Sequence, residues 1–110
     1  MGGSDLFTGT LDLLILGIVE QQPMHAYAIG KRIREASRGV VALEEGALYP
    51  AVYRLRRKRL VTSEWRRTKT GRRAKYYSIT PAGARRLAEE KDRWQAFSDA
   101  VQAVLRSGAR

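Results

Sequence analysis

The segment Glu44–Val61, EEGALYPAVYRLRRKRLV, admits few folds. At helical spacing Leu48, Val52 and Leu55 share one face, while Ala47, Tyr49, Pro50, Tyr53, Arg54 and Arg57 turn the other way. The first face needs a core; the second is aromatic, basic and outward. Proline has no amide hydrogen and clashes with the preceding turn, so it is tolerated where the helix donors are already free, and Pro50 predicts a helix start near Gly46 or Ala47. Small residues, two tyrosines and arginines behind the electropositive end of a helix suit a phosphate-lined groove. The segment reads as a DNA recognition helix. Taken alone, an amphipathic surface helix with a solvated basic face fits it as well.

The charge of the whole chain separates these readings. Of 21 Lys and Arg residues, 15 lie between Lys31 and Lys75 against four glutamates, so the formal net charge of +10 is concentrated in the middle. A polyanion is the partner such a distribution favours, nucleic acid first and an anionic membrane surface second. A membrane-surface helix would need a continuous apolar face beside its basic one, whereas here the basic region is divided among short elements. With 110 residues the chain can bury one modest core. It has no cysteine, which excludes a disulfide framework and a thiolate metal site. The apolar run Leu13–Val19 is too short to span a bilayer, and MGGSDLFTGT carries no basic targeting region. A soluble cytoplasmic protein is expected.

Around the basic segment the pattern predicts a mostly helical α+β fold. Thr10-Leu11-Asp12 resembles a helix start, followed by a helix apolar nearly all round to about Gln21. A second helix is expected from His25 or Ala26 to about Ser37, with Ile29 and Ile33 inward and Lys31, Arg32 and Arg34 outward. His25, the single histidine, suits a cap or packing role better than ligation, since no second His or Cys completes a metal site. Val40–Leu43 is a β-prone stub. Beyond the basic helix, 61–68 and 74–80 alternate as strands around the turn Lys69–Arg73, giving a hairpin with a cationic tip. A solvated loop is the plain alternative. A basic hairpin directly after a basic, tyrosine-bearing helix is nevertheless the layout of a winged helix-turn-helix, here residues 1–80. Thr80-Pro81 then caps and opens a last helix, residues 81–110, closed by Ser107-Gly108 with Ala109-Arg110 frayed. Leu87, Trp94, Phe97, Val101 and Val104 fall on a heptad seam with Leu105 adjacent and Glu90 the one polar member. That stripe, together with Leu11 and Leu14 of the first helix, is expected to form a homodimer interface.

The ordered landmarks GTLDLLILG, PMHAYAI, EEGALYPAVYRL, RRAKYYSITPAG and a terminal helix bearing Trp94 resemble the PadR-like transcriptional regulators, over Gly9 to about Leu105. The resemblance implies a winged helix-turn-helix with a C-terminal dimerisation helix, of the short subgroup. It implies DNA contact at Ala47, Tyr49, Pro50 and Tyr53, with wing contact at Arg72, Arg73 and Lys75. It also implies that a planar aromatic effector can lie between the terminal helices, which would involve Trp94 and Phe97; as a heptad residue Trp94 is equally simply dimer core. One stretch departs from the family pattern. Where relatives commonly read RLERRGLV, this chain reads RLRRKRLV, so Arg56 replaces an acid and Arg59 a glycine. The added charge strengthens sequence-independent attraction to DNA.

A homodimeric transcriptional repressor on a pseudo-palindromic operator follows from these features. In it Arg54 and Arg57 would add to the groove contacts, and double-stranded DNA and a second copy of the chain are the partners, with no cofactor. The rival is a winged-helix module for a protein partner or RNA. An enzyme is poorly supported, because no paired histidines, cysteine or glycine-rich phosphate loop is present.

Overall fold

The computed structural model describes residues 3–108, with side chains described from Gly9 onward. Four helices and three short strands follow in the order α1 (Gly3–Gln21), β1 (Met24–His25), α2 (Ala26–Ala36), α3 (Glu45–Arg57), β2 (Val61–Arg67), β3 (Arg73–Ile79) and α4 (Pro81–Ser107). The strands form one antiparallel sheet in the order β1-β3-β2. Trp65 lies opposite Lys75, and Met24 opposite Tyr77. The winged helix-turn-helix fold and the long C-terminal helix expected from the sequence are both present.

Helix periodicity explains the core. Ile15, Leu16 and Val19 of α1 meet Ile29 and Ile33 of α2, and Leu48, Val52 and Leu55 of α3 close over them, all buried. The same rule turns Lys31, Arg32 and Arg34 to solvent. His25 caps α2 as expected, its Nδ1 accepting from the Ala28 amide at 3.2 Å while its ring meets Tyr76 edge-on at 5.3 Å. Thr80 caps α4 through the Gly83 amide at 3.0 Å, with Pro81 in the first turn.

Helices α2 and α3 both end in a six-residue reversal closed by two backbone bonds. In α3 the Leu60 amide donates to Leu55 (3.0 Å) and the Arg59 amide to Arg56 (2.9 Å), with Arg59 at φ 61°. In α2 Gly39 donates to Arg34 and Arg38 to Glu35, with Arg38 at φ 55°. Glycine is the usual occupant of that left-handed position. Arg59 therefore occupies a backbone position that favours glycine, and the arginine accepts the strain.

Four expectations need correction. Helix α1 starts at Gly3 and runs through Thr10, so Asp12 lies inside the helix and not in its first turn. Val40–Leu43 forms no strand: Val40 is 86% exposed, and the Val41 amide bonds the Ser37 hydroxyl at 3.0 Å rather than a neighbouring strand. The stub strand is instead Met24–His25, which follows Pro23 and pairs with β3. Helix α3 begins at Glu45, one to two residues before the expected start, which puts Pro50 in its second turn and removes the intrahelical donor to the Gly46 carbonyl. Finally, Leu11 and Leu87 are 5% and 1% exposed within this one chain, so both belong to its own core and not to a subunit interface. Leu14 is half-buried against that core. Residues Ala109 and Arg110, expected to fray, lie outside the described residues, as do Met1 and Gly2.

The first turns of α4 are locked to the body. Gly83 approaches so closely that an added Cβ would lie 2.0 Å from the Leu60 carbonyl oxygen. From Lys91 onward α4 leaves the body, and the described part of the molecule extends 60 × 28 × 23 Å. None of the described helices is long and apolar enough to cross a membrane.

Candidate nucleic-acid interface

The outward side of α3 carries Ala47, Tyr49, Pro50, Tyr53 and Arg57, all exposed, above the buried row Leu48, Ala51, Val52 and Leu55. Apolar residues at four-residue spacing settle this division; the tyrosines are exposed because they fall between core positions. Tyr49 and Tyr53 are one turn apart, and the Arg57 guanidinium lies 5.9 Å from the Tyr53 ring centre, a cation over an aromatic face.

The electrostatics along α3 are the reverse of the simple expectation. Glu44 occupies the N-cap without a side-chain hydrogen bond and Glu45 stands in the first turn, so carboxylates already sit at the electropositive end. The positive charge collects at the other end, where Arg56, Arg57, Lys58 and Arg59 are all exposed, and continues into the wing. The cationic surface is therefore the C-terminal half of α3 together with the hairpin, and the first turns of α3 carry no cation.

Arg54 departs from its expected place. Its Nη2 lies 2.5 Å from Oδ1 of Asp12, a carboxylate with no exposed surface, and Arg86 Nη2 of α4 takes the other oxygen at 2.9 Å. Arg86 also bonds Glu90, which Arg93 reaches too, both at 2.8 Å. Burial works against the Arg86 charge, but its hydrogen bond to Glu90 and the negative charge of Asp12 and Glu90 outweigh that and raise its pKa above the ordinary arginine value. An arginine drawn into this cluster is not turned to a groove, and Arg54 leaves the set of candidate contacts. Glu90, the polar member of the expected heptad seam, is likewise buried here, close against Gly9 of α1. A carboxylate buried inside an apolar helix, as Asp12 is, requires a cationic partner, but which arginines supply it is decided by the fold.

The hairpin stands beside α3. Arg56 Nε donates to the Ser63 hydroxyl at 2.9 Å, joining the helix to β2. Half-burial raises the Tyr77 pKa; Arg56 opposes the shift and Tyr49 adds to it, so strand β3 lies within electrostatic reach of the α3 surface. Arg72 and Arg73 are exposed at the turn and Lys75 is half-exposed on β3. The tip is formed by the Thr68 amide on Arg72 (2.7 Å), with Gly71 at φ 88°. Helix α3 and the wing thus present, on adjoining surfaces, tyrosines and arginines with no carboxylate partner among the described residues. Sequence reading missed Trp65, which lies between Arg73 and Lys75 on this hairpin.

On α4, Trp94 and Phe97 have ring centres 6.2 Å apart and are each more than two-fifths exposed. Phe97, Val101, Val104 and Leu105 line an open apolar groove farther along. Among the described residues no group of His, Asp and Glu is arranged to hold a metal ion.

Several solved structures share this architecture. A PadR family regulator from Eggerthella lenta is 32% identical, with TM-score 0.76, over 92% of this chain and 86% of that one. A PadR-like regulator from Bacillus cereus is 28% identical, with TM-score 0.77, over 92% and 96%. A PadR family regulator from Clostridium difficile is 32% identical, with TM-score 0.75, over 86% and 97%. An uncharacterised protein of Lysinibacillus sphaericus is 26% identical over 102 residues, 93% of this chain and 94% of its own. The profile of the transcriptional regulator PadR-like family spans residues 15–89, from the core of α1 to the buried turns of α4, and on that match the chain belongs to this family of DNA-binding transcriptional regulators.

Proposed function

We propose that the chain is a homodimeric repressor that reads a pseudo-palindromic operator. The supporting observation is the adjoining surface of α3 and the wing, where exposed tyrosines meet arginines that have no carboxylate partner among the described residues. Ala47, Tyr49, Pro50 and Tyr53 enter the major groove, the rings against thymine methyls and the hydroxyls on phosphate or base edges. Arg57, Arg72, Arg73 and Lys75 hold the flanking backbone.

The second copy of the chain covers α4. Trp94, Phe97, Val101, Val104 and Leu105 form an exposed apolar stripe over the part of α4 that has left its own body, and such a stripe is stabilised by a second copy related by two-fold symmetry. Leu14 lies at the margin of this contact. A symmetric pair would set the two α3 helices about 34 Å apart, one turn of B-DNA. Selection of bound duplexes from a random pool tests this reading. An inverted repeat with half-sites one helical turn apart is expected; enrichment of a single unpaired motif, or none, overturns it.

A small aromatic effector that releases DNA belongs to the same proposal, at Trp94 and Phe97. Their half-exposed, mutually tilted rings can take a planar ring between them and the partner's copies. Quenching of tryptophan fluorescence by a planar aromatic cation, lost in Trp94→Ala and retained in Trp65→Ala, is the expected result. Equal quenching in both variants overturns the assignment.

A further inference from the structure

The two faces of the hairpin differ in how their cations are held. Strand alternation puts Trp65, Arg73 and Lys75 on one face, and Glu64, Arg66 and Tyr76 on the other. Glu64 is the only acid between Val61 and Thr80, and Arg66 occupies it at 2.6 Å while lying 5.2 Å from the Tyr76 ring centre. The charge of that second face is therefore largely answered within the hairpin.

The first face has no carboxylate of its own. Of its three cations, Arg67 donates to the Gly71 carbonyl at 3.0 Å, and the other two gather on the indole of Trp65, with Arg73 Cζ 5.2 Å and Lys75 Nζ 5.7 Å from the ring centre. Register fixes this meeting: Lys75 is directly across the ladder from Trp65, and Arg73 is the next residue of β3 on the same side. The indole is 57% exposed and absent from the core, so packing does not account for a residue this large here. The same face runs back through Ser63 to Arg56 and so joins the surface of α3.

We infer that Trp65 is a positioning residue for DNA binding: its ring holds Arg73 and Lys75 as a fixed pair of cations that engages neighbouring backbone phosphates beside the groove entered by α3. The inference rests on the DNA-binding reading above and deepens it. A guanidinium and an ammonium already gathered over one ring lose less rotamer freedom on meeting phosphate than two free side chains. The ring still leaves their outer edges open to the backbone. Because phosphates carry no sequence, the contribution is the same for every duplex.

Fluorescence anisotropy of a labelled mixed-sequence duplex, titrated with the full chain at several salt concentrations, tests this in Trp65→Leu and Trp65→Phe. Leucine keeps apolar bulk without the ring's negative face. It is expected to weaken binding by about three- to tenfold at low salt and to reduce the slope of log K against log salt by about one to two for each subunit. Phenylalanine is expected to restore most of both. Thermal unfolding of the two variants should match the parent, since the side chain is outside the core. Adding Arg73→Gln to Trp65→Leu should cost less than Arg73→Gln does alone, because both act through one contact. A Trp65→Leu variant whose salt slope equals that of the parent overturns the inference, even if its affinity is lower, because a plain stacking contact would do that. If the parent chain itself binds no duplex at low salt, the DNA reading fails, an outcome distinct from failure of Trp65 alone.

Discussion

Asp12 and Arg54 meet at 2.5 Å across 42 positions of sequence, and through this contact α1 holds helix α3. Asp12 has no exposed surface, while its partners Arg54 and Arg86 keep 34% and 25% of their side-chain surface in solvent. A buried carboxylate shared by two arginines ties α1 to α3 and α4, and removing it takes away the carboxylate that Arg54 bonds while Arg86 keeps only Glu90.

Asp12→Asn is expected to destabilise the chain by about 2 to 4 kcal/mol, toward the low end because the arginines are partly wet. Chemical denaturation measures it. An unchanged midpoint would show that the cluster contributes nothing.

Arg54 and Arg57 differ by one helical turn but should behave differently. Arg54→Gln is expected to lower stability and leave the salt slope of DNA binding near the parent value. Arg57→Gln should do the opposite, leaving stability intact and reducing the slope by about one per subunit. Unfolding curves and binding titrations on the same two variants separate the roles.

Gly83→Ala places a methyl group 2.0 Å from the Leu60 carbonyl oxygen and 2.8 Å from an Ile79 side-chain carbon. The backbone oxygen cannot move aside, because it accepts the Thr80 amide at 3.1 Å. A loss of more than about 2 kcal/mol is expected in thermal or denaturant unfolding, an overpacking effect at a backbone contact.

Arg59→Gly is expected to stabilise the chain by about 0.5 to 1 kcal/mol. Left-handed backbone costs an L-residue roughly 1–2 kcal/mol, and the extra chain entropy of glycine returns about half of that to the unfolded state. The same variant removes an exposed cation beside the wing, so non-specific DNA affinity should fall as stability rises. A lower melting temperature would contradict the backbone reading at φ 61°.

Much of this architecture was legible in the sequence because single residues constrain it. Thr80-Pro81 opens α4, His25 caps α2, and Leu48, Val52 and Leu55 define the buried side of α3, all from local chemistry and spacing. The misreadings share one cause, which is that tertiary partners decide them. Nothing near Arg54 in sequence indicates that Asp12 will take it, and heptad spacing cannot distinguish Leu87, 1% exposed against its own body, from Val101, which stays 40% exposed. Val40–Leu43 has β propensity but pairs with no strand, its Val41 amide being taken by the Ser37 hydroxyl, and strand formation depends on such pairing. Trp65 was missed because its significance comes from a cross-strand register that exists only once the hairpin is paired.

Val101→Glu places a charge in the middle of the exposed stripe of α4. Sedimentation equilibrium of the parent chain should give twice the chain mass, and the variant should shift toward the single chain with its own fold retained. A monomeric parent would remove the two-fold arrangement of the recognition helices.

The most direct measurement is an electrophoretic titration of a duplex with the purified chain at two salt concentrations. A surface whose affinity comes from unpaired cations on α3 and the wing should lose about a thousandfold or more in binding constant between roughly 50 and 200 mM salt. A binding constant that does not change with salt, or no binding at the lower concentration, would contradict the assignment of this surface to DNA.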